Sequence, residues 1–440
     1  MLTPLEPWIK SRIGVPHREP LSRSALERYQ LRKLRETVDY ARRHSPFYRS
    51  LFQGFNIDEL GTLADVARLP FTTAAELRED ELRFLCVSRD EVERVVTIQS
   101  SGTTAQPKRL HFTAAELEQT VDFFHHGMST LVERGERVLI LMPGELPGSV
   151  GDLLVKGLGR MEVEGIVHGL VRDAGEVLDR IVLEEIDCLV GLPVQVLALA
   201  RHPETARIPG GRIKSVLLSA DYVPDAIVRE LTAAWGAAVF NHYGMTEMGL
   251  GGGVECSLLC GYHLREADLF FEVVDPESGR PLPDGELGEV VFTTLNRRGM
   301  PLIRYRTGDL ARFLPGPCPC GTVLRRLERV RGRLAGEIRV GNGHRLNIAE
   351  LDEALFSLPF LLDYQAEVRS RDGKACLDVS IWTTAVDDGE ASSLVRRALL
   401  EVPAVAAAVA EGSLAMGAVG RDAFARSITI KRTVIDRRTG

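Results

Sequence analysis

"SVLLSADYVPDAIVRELTAAWGAAVFNHYGMTE", residues 215–247, decides the fold class. "SVLLSAD" is a short apolar run with a polar end and reads as a buried strand. "PDAIVRELTAAWG" reads as a helix with Pro224 near its first turn, and "AAVFNHYG" as the next strand. The same rhythm extends upstream. "RVLILMPG" and "GIVHGLV" read as strands, "DAGEVLDRIVLEEI" as an amphipathic helix, and "DCLVGLP" as a strand ending at Gly-Leu-Pro. Units of this length imply parallel strands joined by crossover helices. Ligands of such sheets collect beyond the carboxyl ends of the strands, where "SAD" (219–221) and "NHYGMTE" (241–247) would lie.

A second stretch raises a chemical question. "TIQSSGTTAQPKRLHFT" (97–113) gathers Ser101, Gly102, Thr103 and Thr104, with Lys108 four residues on. A loop of small hydroxyl residues can wrap backbone N–H groups and side-chain oxygens around phosphate, with the lysine adding positive charge. It is not the GxxxxGK[ST] phosphate loop, because Lys108 is not followed by Ser or Thr. The alternative is a solvated linker.

The rest of the chain bounds the reading. At 440 residues with 45% hydrophobic content it can fill several cores. A net charge of −7 without a long basic tract disfavours nucleic acid as a main partner. The first twenty residues hold no apolar core of signal-peptide length, and no window approaches the ~20 apolar residues of a membrane helix. A cytoplasmic protein with no membrane partner is expected.

The first ninety residues read as helical. One helix runs from Leu26 towards Tyr40–Ala41 and stops at Ser45-Pro46, and another follows with Thr72 or Thr73 as its N-cap. Residues 270–331 turn antiparallel ("LFFEVVD", "EVVFTTL", "LIRYRTGDLARFL"). The last hundred form a compact unit of helix (349–358), strand (365–370), a turn at Asp372-Gly373, strand (375–383), helix (391–401) and a late strand. The expected domains are therefore 1–333 and 334–440.

Seven cysteines, an odd number unevenly spread, argue against a disulfide framework. Cys256, Cys260, Cys318 and Cys320 cluster around His263. The Pro-Cys-Pro-Cys-Gly turn aims two sulfurs from one tight loop, as a structural zinc site would need. Ordinary reduced thiols are the alternative. His126 and His168 read as core or surface residues.

"SSGTTAQPK", "NHYGMTE", "GELGEVVFTTL", "RYRTGDL" and "RGRLAGEIRVGNG" follow one another as in acyl-adenylate-forming ligases. The chain resembles their phenylacetate–CoA ligase branch in "LPFTTAAEL", in "VECSLLCGYHLREADLFFEVVDPESG" and in "CPCG" after the TGD segment. The likeness spans nearly the whole chain. It implies an α/β fold: a large N-terminal adenylate-forming domain of parallel αβ sheets plus an antiparallel subdomain, and a small, mobile C-terminal α+β domain. It also implies an ATP-dependent carboxylate–CoA ligase that forms an acyl-AMP and then an acyl-CoA on an aryl or arylalkyl acid. ATP or AMP, Mg²⁺ and structural Zn²⁺ would be its cofactors, coenzyme A its co-substrate, and a homodimer is compatible with it.

The resemblance also assigns residues. Ser101, Gly102, Thr103, Thr104 and Lys108 would hold the β- and γ-phosphates, with Ala105 where the family usually has glycine. Ser219, Ala220 and Asp221 would face the nucleotide. Tyr243, followed by Gly244 and Met245, would stack on adenine, with Asn241 or His242 at its edge. Thr246 would touch the α-phosphate and Glu247 would help hold Mg²⁺, a hard cation suited to carboxylate oxygen. Asp309 would take both ribose hydroxyls, and Arg333 would add a cation nearby. Cys256, His263, Cys318 and Cys320 would bind zinc, leaving Cys260 as a spare or substitute.

Two features depart from the family. Its hinge usually reads GRxDD, whereas Ala335 and Gly336 stand in the acidic positions here. Its catalytic lysine usually follows glycine, whereas Lys431 follows Ile430 and also reads as a surface lysine on an edge strand. The acid pocket is expected from 142–151, 191–193, 219–222 and 243–252. Rival readings are an adenylating enzyme serving a non-CoA acceptor and a nucleotide-binding relative with little turnover.

Overall fold

The computed structural model describes residues 2–16, 18–98, 106–341, 343–371, 373–421 and 432–438. They form an α/β protein whose chain gathers into two compact units. One comprises Met1–Glu136, Pro143–Val167 and Phe240–Val330; the other comprises Arg137–Met142, His168–Val239 and Arg331–Gly440. Ser101–Thr104, Ala105 and Lys431 lie outside the described residues.

The first unit opens with helices Leu5–Arg12, Arg23–His44 and Pro46–Leu51. Ser45-Pro46 both stops the long helix and starts the next. Ser45 Oγ accepts the Tyr48 N–H at 3.2 Å, and proline suits a first helical turn, where no N–H is needed. Of the two threonines that could cap the following helix, Thr73 does so. Its hydroxyl accepts from Glu76 N at 3.3 Å, and Glu76 returns a bond to Thr73 N at 2.8 Å, which closes a capping box over Ala74–Glu79.

These helices cover an antiparallel sheet of Leu269–Val274, Gly288–Thr294 and Tyr305–Ala311, paired in that order. The core between them holds Tyr48, Phe84, Phe292, Leu302 and Tyr305, all essentially sealed from solvent. Arg304 is buried there too. Its guanidinium forms two bonds to Glu272, at 3.0 and 2.9 Å, and donates to the carbonyls of Ala67 (2.9 Å) and Leu69 (2.6 Å) over the Phe71 ring.

Two further strands, Arg94–Ile98 and Lys108–Phe112, run antiparallel with Ile98 paired to Lys108. Lys108 is thus a strand residue, not a loop residue. Strands Gly253–Glu255, Tyr262–Leu264 and Arg326–Leu327 add an antiparallel ladder in which Val254 and Arg326 both pair with His263.

In the second unit Arg137–Ile140, Cys188–Gly191 and Ser215–Leu218 run parallel, with Val138 beside Cys188 and Cys188 beside Ser215. Val138, Leu139, Ile140, Leu189, Val216 and Leu218 are fully buried, as strands covered on both faces must be. Helices Ala174–Leu183, Pro193–Ala200 and Asp225–Trp235 belong to the same unit. So does the C-terminal segment: helix Ile348–Leu355, the long hairpin Leu361–Arg371 with Lys374–Thr383, helices Asp388–Glu401 and Pro403–Ala410, and strand Leu414–Gly420.

Two polar contacts tie these parts together. The Arg201 guanidinium is almost sealed from solvent and donates to the carbonyls of Phe356 (2.9 Å), Leu358 (2.8 Å) and Leu361. Glu353 accepts from Tyr222 Oη at 2.7 Å and from Asp225 N at 2.8 Å.

Candidate active site

Strand Ala238–Tyr243 ends at Gly244, and a short 3₁₀ turn, Thr246–Met248, follows. Only glycine fits at 244, since a Cβ there would lie 2.2 Å from the Leu250 carbonyl oxygen. This tight return presents Thr246 at the start of the turn and buries Glu247 behind it.

Lys108 reaches Glu247 from its strand, its Nζ paired with Oε1. The Tyr305 hydroxyl completes a triangle: it accepts from Lys108 Nζ at 3.2 Å and donates to Glu247 Oε1 at 3.1 Å. The Lys108 and Glu247 side chains are only 12% and 6% exposed. Burial, the largest influence, pushes the Glu247 pKa up. The charge and hydrogen bond of Lys108, with help from Tyr305, overcome it and hold the carboxyl below its usual range. The backbone is pinned as well, because Arg297, stacked 4.4 Å over Phe112, donates to the Glu247 carbonyl at 2.8 Å.

Tyr243 and Asp309, one expected at adenine and the other at ribose, meet directly. The tyrosine hydroxyl donates to Asp309 Oδ2 at 3.1 Å, and Asp309 is buried. The Asp309 N–H donates to Thr307 Oγ1 at 3.0 Å, which holds the carboxylate at its place on the strand. Tyr243 lies against Tyr262, ring centres 5.7 Å apart.

Of the two candidates for the adenine edge, Asn241 is buried and locked by Glu255, which accepts from its backbone N at 2.9 Å and from Nδ2 at 3.2 Å. Arg329 neutralises Glu255 at 3.1 Å. Asn241 Oδ1 has no hydrogen-bond partner among the described residues. His242 packs near Phe123 and Phe124, and desolvation pushes its pKa down to about 4, so the ring is neutral at pH 7.

Met245 precedes the 3₁₀ turn in extended backbone. Ser219, Ala220, Asp221 and Arg333 belong to the second unit. There Ser219 N donates to the Gly191 carbonyl at 3.1 Å, Ala220 adopts a φ of 73°, and Arg333 ends the two-residue strand before the turn Leu334–Gly336. Tyr305, Arg297, Glu255 and Arg329 were not anticipated as site residues. Tyr305 stands inside the quoted "RYRTGDL", four positions before Asp309, and that proximity was the only signal.

The cysteine cluster assembles in the first unit. Single donor atoms of Cys256, His263, Cys318 and Cys320 all lie within 4.8 Å of one another. Cys256 and Cys318 sulfurs are 4.0 Å apart, and Cys320 Sγ is 3.6 Å from His263 Nε2. Tetrahedral zinc with bonds of about 2.3 Å to sulfur sets such ligand atoms about 3.8 Å apart. Cys260 Sγ is also near, 3.7 Å from Cys318, and takes a hydrogen bond from Arg326 at 3.4 Å.

Residues 61–296 match the family model described as AMP-binding enzyme. The chain is 30% identical over 372 residues to the phenylacetate–coenzyme A ligase of Thermus thermophilus, covering 81% of each chain. It is 28% identical to the Escherichia coli K12 protein of the same name, over 82% of this chain and 84% of that one. In fold it is similar to a 2-hydroxyisobutyryl-CoA ligase solved with an acyl-AMP. That match has a TM-score of 0.80 and 22% identity, and covers 96% of this chain and 92% of the other. The chain belongs to the AMP-binding enzyme family, as an AMP-forming acyl-CoA synthetase of the phenylacetate–CoA ligase-like branch.

Proposed function

We propose that the chain joins an aryl or arylalkyl carboxylic acid to coenzyme A at the expense of ATP, in two half-reactions. The observation that carries this reading is the buried Glu247–Lys108–Tyr305 triangle beside the Tyr243–Asp309 pair. The aryl preference rests on relatives that are phenylacetate–coenzyme A ligases over four-fifths of the chain.

In the first half-reaction a carboxylate oxygen attacks the α-phosphorus of ATP, and pyrophosphate leaves with the bonding electrons. In the second, the CoA thiolate attacks the acyl carbon and AMP leaves. Asp309 would hold the ribose, Tyr243 the adenine, Thr246 the α-phosphate, and Lys108 with Ser101, Gly102, Thr103 and Thr104 the outer phosphates. Preorganised charges of this kind are the main tool for such a transfer.

The site fits Mg²⁺. Glu247 offers a hard carboxylate oxygen, and that oxygen already carries a cation, the Lys108 ammonium. When bound, Mg²⁺ would neutralise charge on the phosphate oxygens. We assign Lys431 to the carboxylate and α-phosphate, and divide the chain at 333/334 into a large domain and a small mobile one. Ala335 and Gly336 would give the turn between them its freedom. A cytoplasmic location accords with this chemistry, and among the described residues no helix is long and apolar enough to cross a membrane.

Pyrophosphate release measured against a panel of acids, with and without CoA, tests the proposal. Release should be acid-dependent, strongest with arylalkyl acids, and should become catalytic when CoA is added. Turnover unaffected by CoA would point instead to a different acceptor, and no release with any acid would overturn the reading.

Zinc belongs to the same proposal as a closed, structural ion on Cys256, His263, Cys318 and Cys320. Elemental analysis should find one equivalent per chain. Chelation should lower the thermal midpoint, because metal binding to the folded state is folding free energy. Absence of stoichiometric zinc from protein purified without chelator would remove it.

A further inference from the structure

We infer that Lys108, in the nucleotide-free chain, occupies the position on Glu247 that a divalent cation takes during the reaction, and that Tyr305 is the positioning residue holding the carboxylate through the exchange. This rests on the reading of Glu247 as the metal-facing carboxylate.

The geometry separates what is fixed from what can move. Tyr305 is 2% exposed, pairs in register with Phe292, and has its ring 5.4 Å from that of Phe292. Its hydroxyl is therefore a fixed point. The peptide at Glu247 is fixed too, by the buried Arg297. Lys108 differs: strand pairing fixes its backbone, while its ammonium rests on Glu247 and the Tyr305 hydroxyl, contacts that a flexible four-carbon stem can leave once a second cation competes for the carboxylate.

Charge explains why one cation must leave when another arrives. Neither Lys108 nor Glu247 tolerates its burial alone, because removing one member of such a pair strands the other charge. A metal ion bound to the same carboxylate would set two cations against each other across a distance of a few ångströms. Lys108 must then swing away, and it needs a new anion. The polyphosphate that accompanies the metal supplies one.

Metal alone therefore cannot displace the lysine at low cost, whereas metal with ATP can. The exchange makes metal binding conditional on nucleotide and puts Lys108 on the phosphates as a consequence of loading. Throughout, the Tyr305 O–H continues to donate to Glu247 and keeps the carboxylate oriented after the ammonium has gone.

The test uses the full-length, zinc-replete protein, with Mn²⁺ followed by electron paramagnetic resonance in the absence of nucleotide and acid. The parent should bind Mn²⁺ weakly. Lys108→Met should bind it about tenfold more tightly or better, the size of one charge-assisted contact released. Mg²⁺ alone should raise the thermal midpoint of Lys108→Met but not that of the parent, while the variant's affinity for Mg·ATP falls. The added substitution Glu247→Gln should abolish the gain.

Tyr305→Phe retains the Lys108–Glu247 pair, so its affinity for the metal alone should be unchanged. Its KM for Mg·ATP should rise about tenfold with an unchanged KM for the acid, a split that general loss of packing would not give. Tight Mn²⁺ binding by the nucleotide-free parent, or no gain in Lys108→Met, overturns the exchange; the parent measurement decides even if that variant fails to fold. Mg·ATP binding that is indifferent to Glu247→Gln would instead overturn the underlying assignment of the metal.

Discussion

Glu247→Gln is expected to lower acid-dependent pyrophosphate release by about 10²–10³-fold, the usual cost of losing one preorganised electrostatic contact to a charged transition state. Glutamine preserves the shape of the side chain and can still accept from Tyr305, so the turn Thr246–Met248 should survive. What disappears is the negative charge that holds the ammonium of Lys108 and, in the proposed mechanism, the metal. Near-UV circular dichroism should therefore match the parent, with a lower thermal midpoint because Lys108 loses its counter-charge. Glu247→Asp keeps the charge but retracts it by one methylene, and should fall between the two. A glutamine variant that releases pyrophosphate at the parent rate would show that Glu247 has no part in adenylation.

Arg304→Ala carries the largest expected effect on stability, a loss of about 3–5 kcal/mol by analogy with other broken buried ion pairs. The arginine is sealed from solvent and is the charged partner of Glu272, besides capping two carbonyls of the Leu63–Arg68 turn region. Glu272 shows how expensive this place is. Burial raises its pKa above the usual value even with the arginine in contact.

Without Arg304 the folded-state pKa of Glu272 would rise further. A carboxyl whose folded pKa is raised favours folding at low pH and loses that contribution as pH climbs through it. The variant's deficit should therefore grow from acid towards neutral pH in urea titrations. Arg304→Met combined with Glu272→Leu should recover much of the loss, because both desolvated charges are then gone. A single variant as stable as the parent at pH 7 would mean that the pair is an ornament of the core.

Much of this was legible in the sequence for identifiable reasons. The runs at 188–191 and 215–218 announce strands because a parallel strand covered on both faces carries apolar residues throughout. Ser45-Pro46 and Thr73 with Glu76 mark helix ends through local bonds that span three residues. Helices Ala114–Met128, Val150–Gly159, Pro193–Ala200 and Pro403–Ala410 escaped notice, two of them because their local signals are poor. "VGDLLVKGLG" (150–159) carries three glycines, which disfavour helix. Gly157 sits there because a Cβ would come 3.1 Å from His125 N of the neighbouring helix, so packing outweighs propensity. "PAVAAAVA" (403–410) has no polar face from which a helical period could be read.

The sequence by itself determined which chemistry the chain can offer. It supplied the adenylate-forming family's motifs, the carboxylate of the YGMTE turn, the sulfur-rich turn and the alternation of strands with helices, all of which depend on residue type and short spacing. Tertiary structure alone decided which charges share a bond. Lys108 meets Glu247 across 139 residues, Tyr243 meets Asp309 across 66, and Arg304 meets Glu272 across 32. Such pairings depend on strand register and on which side chains are sealed from water, and a one-residue slip would turn strand partners such as Lys108, Asp309 and Glu272 to the opposite face. Cys260 makes the same point at the sulfur site. Four cysteines and a histidine were visible in the sequence, but only the fold brings single donor atoms of Cys256, His263, Cys318 and Cys320 within 4.8 Å of one another and sets Cys260 against Arg326.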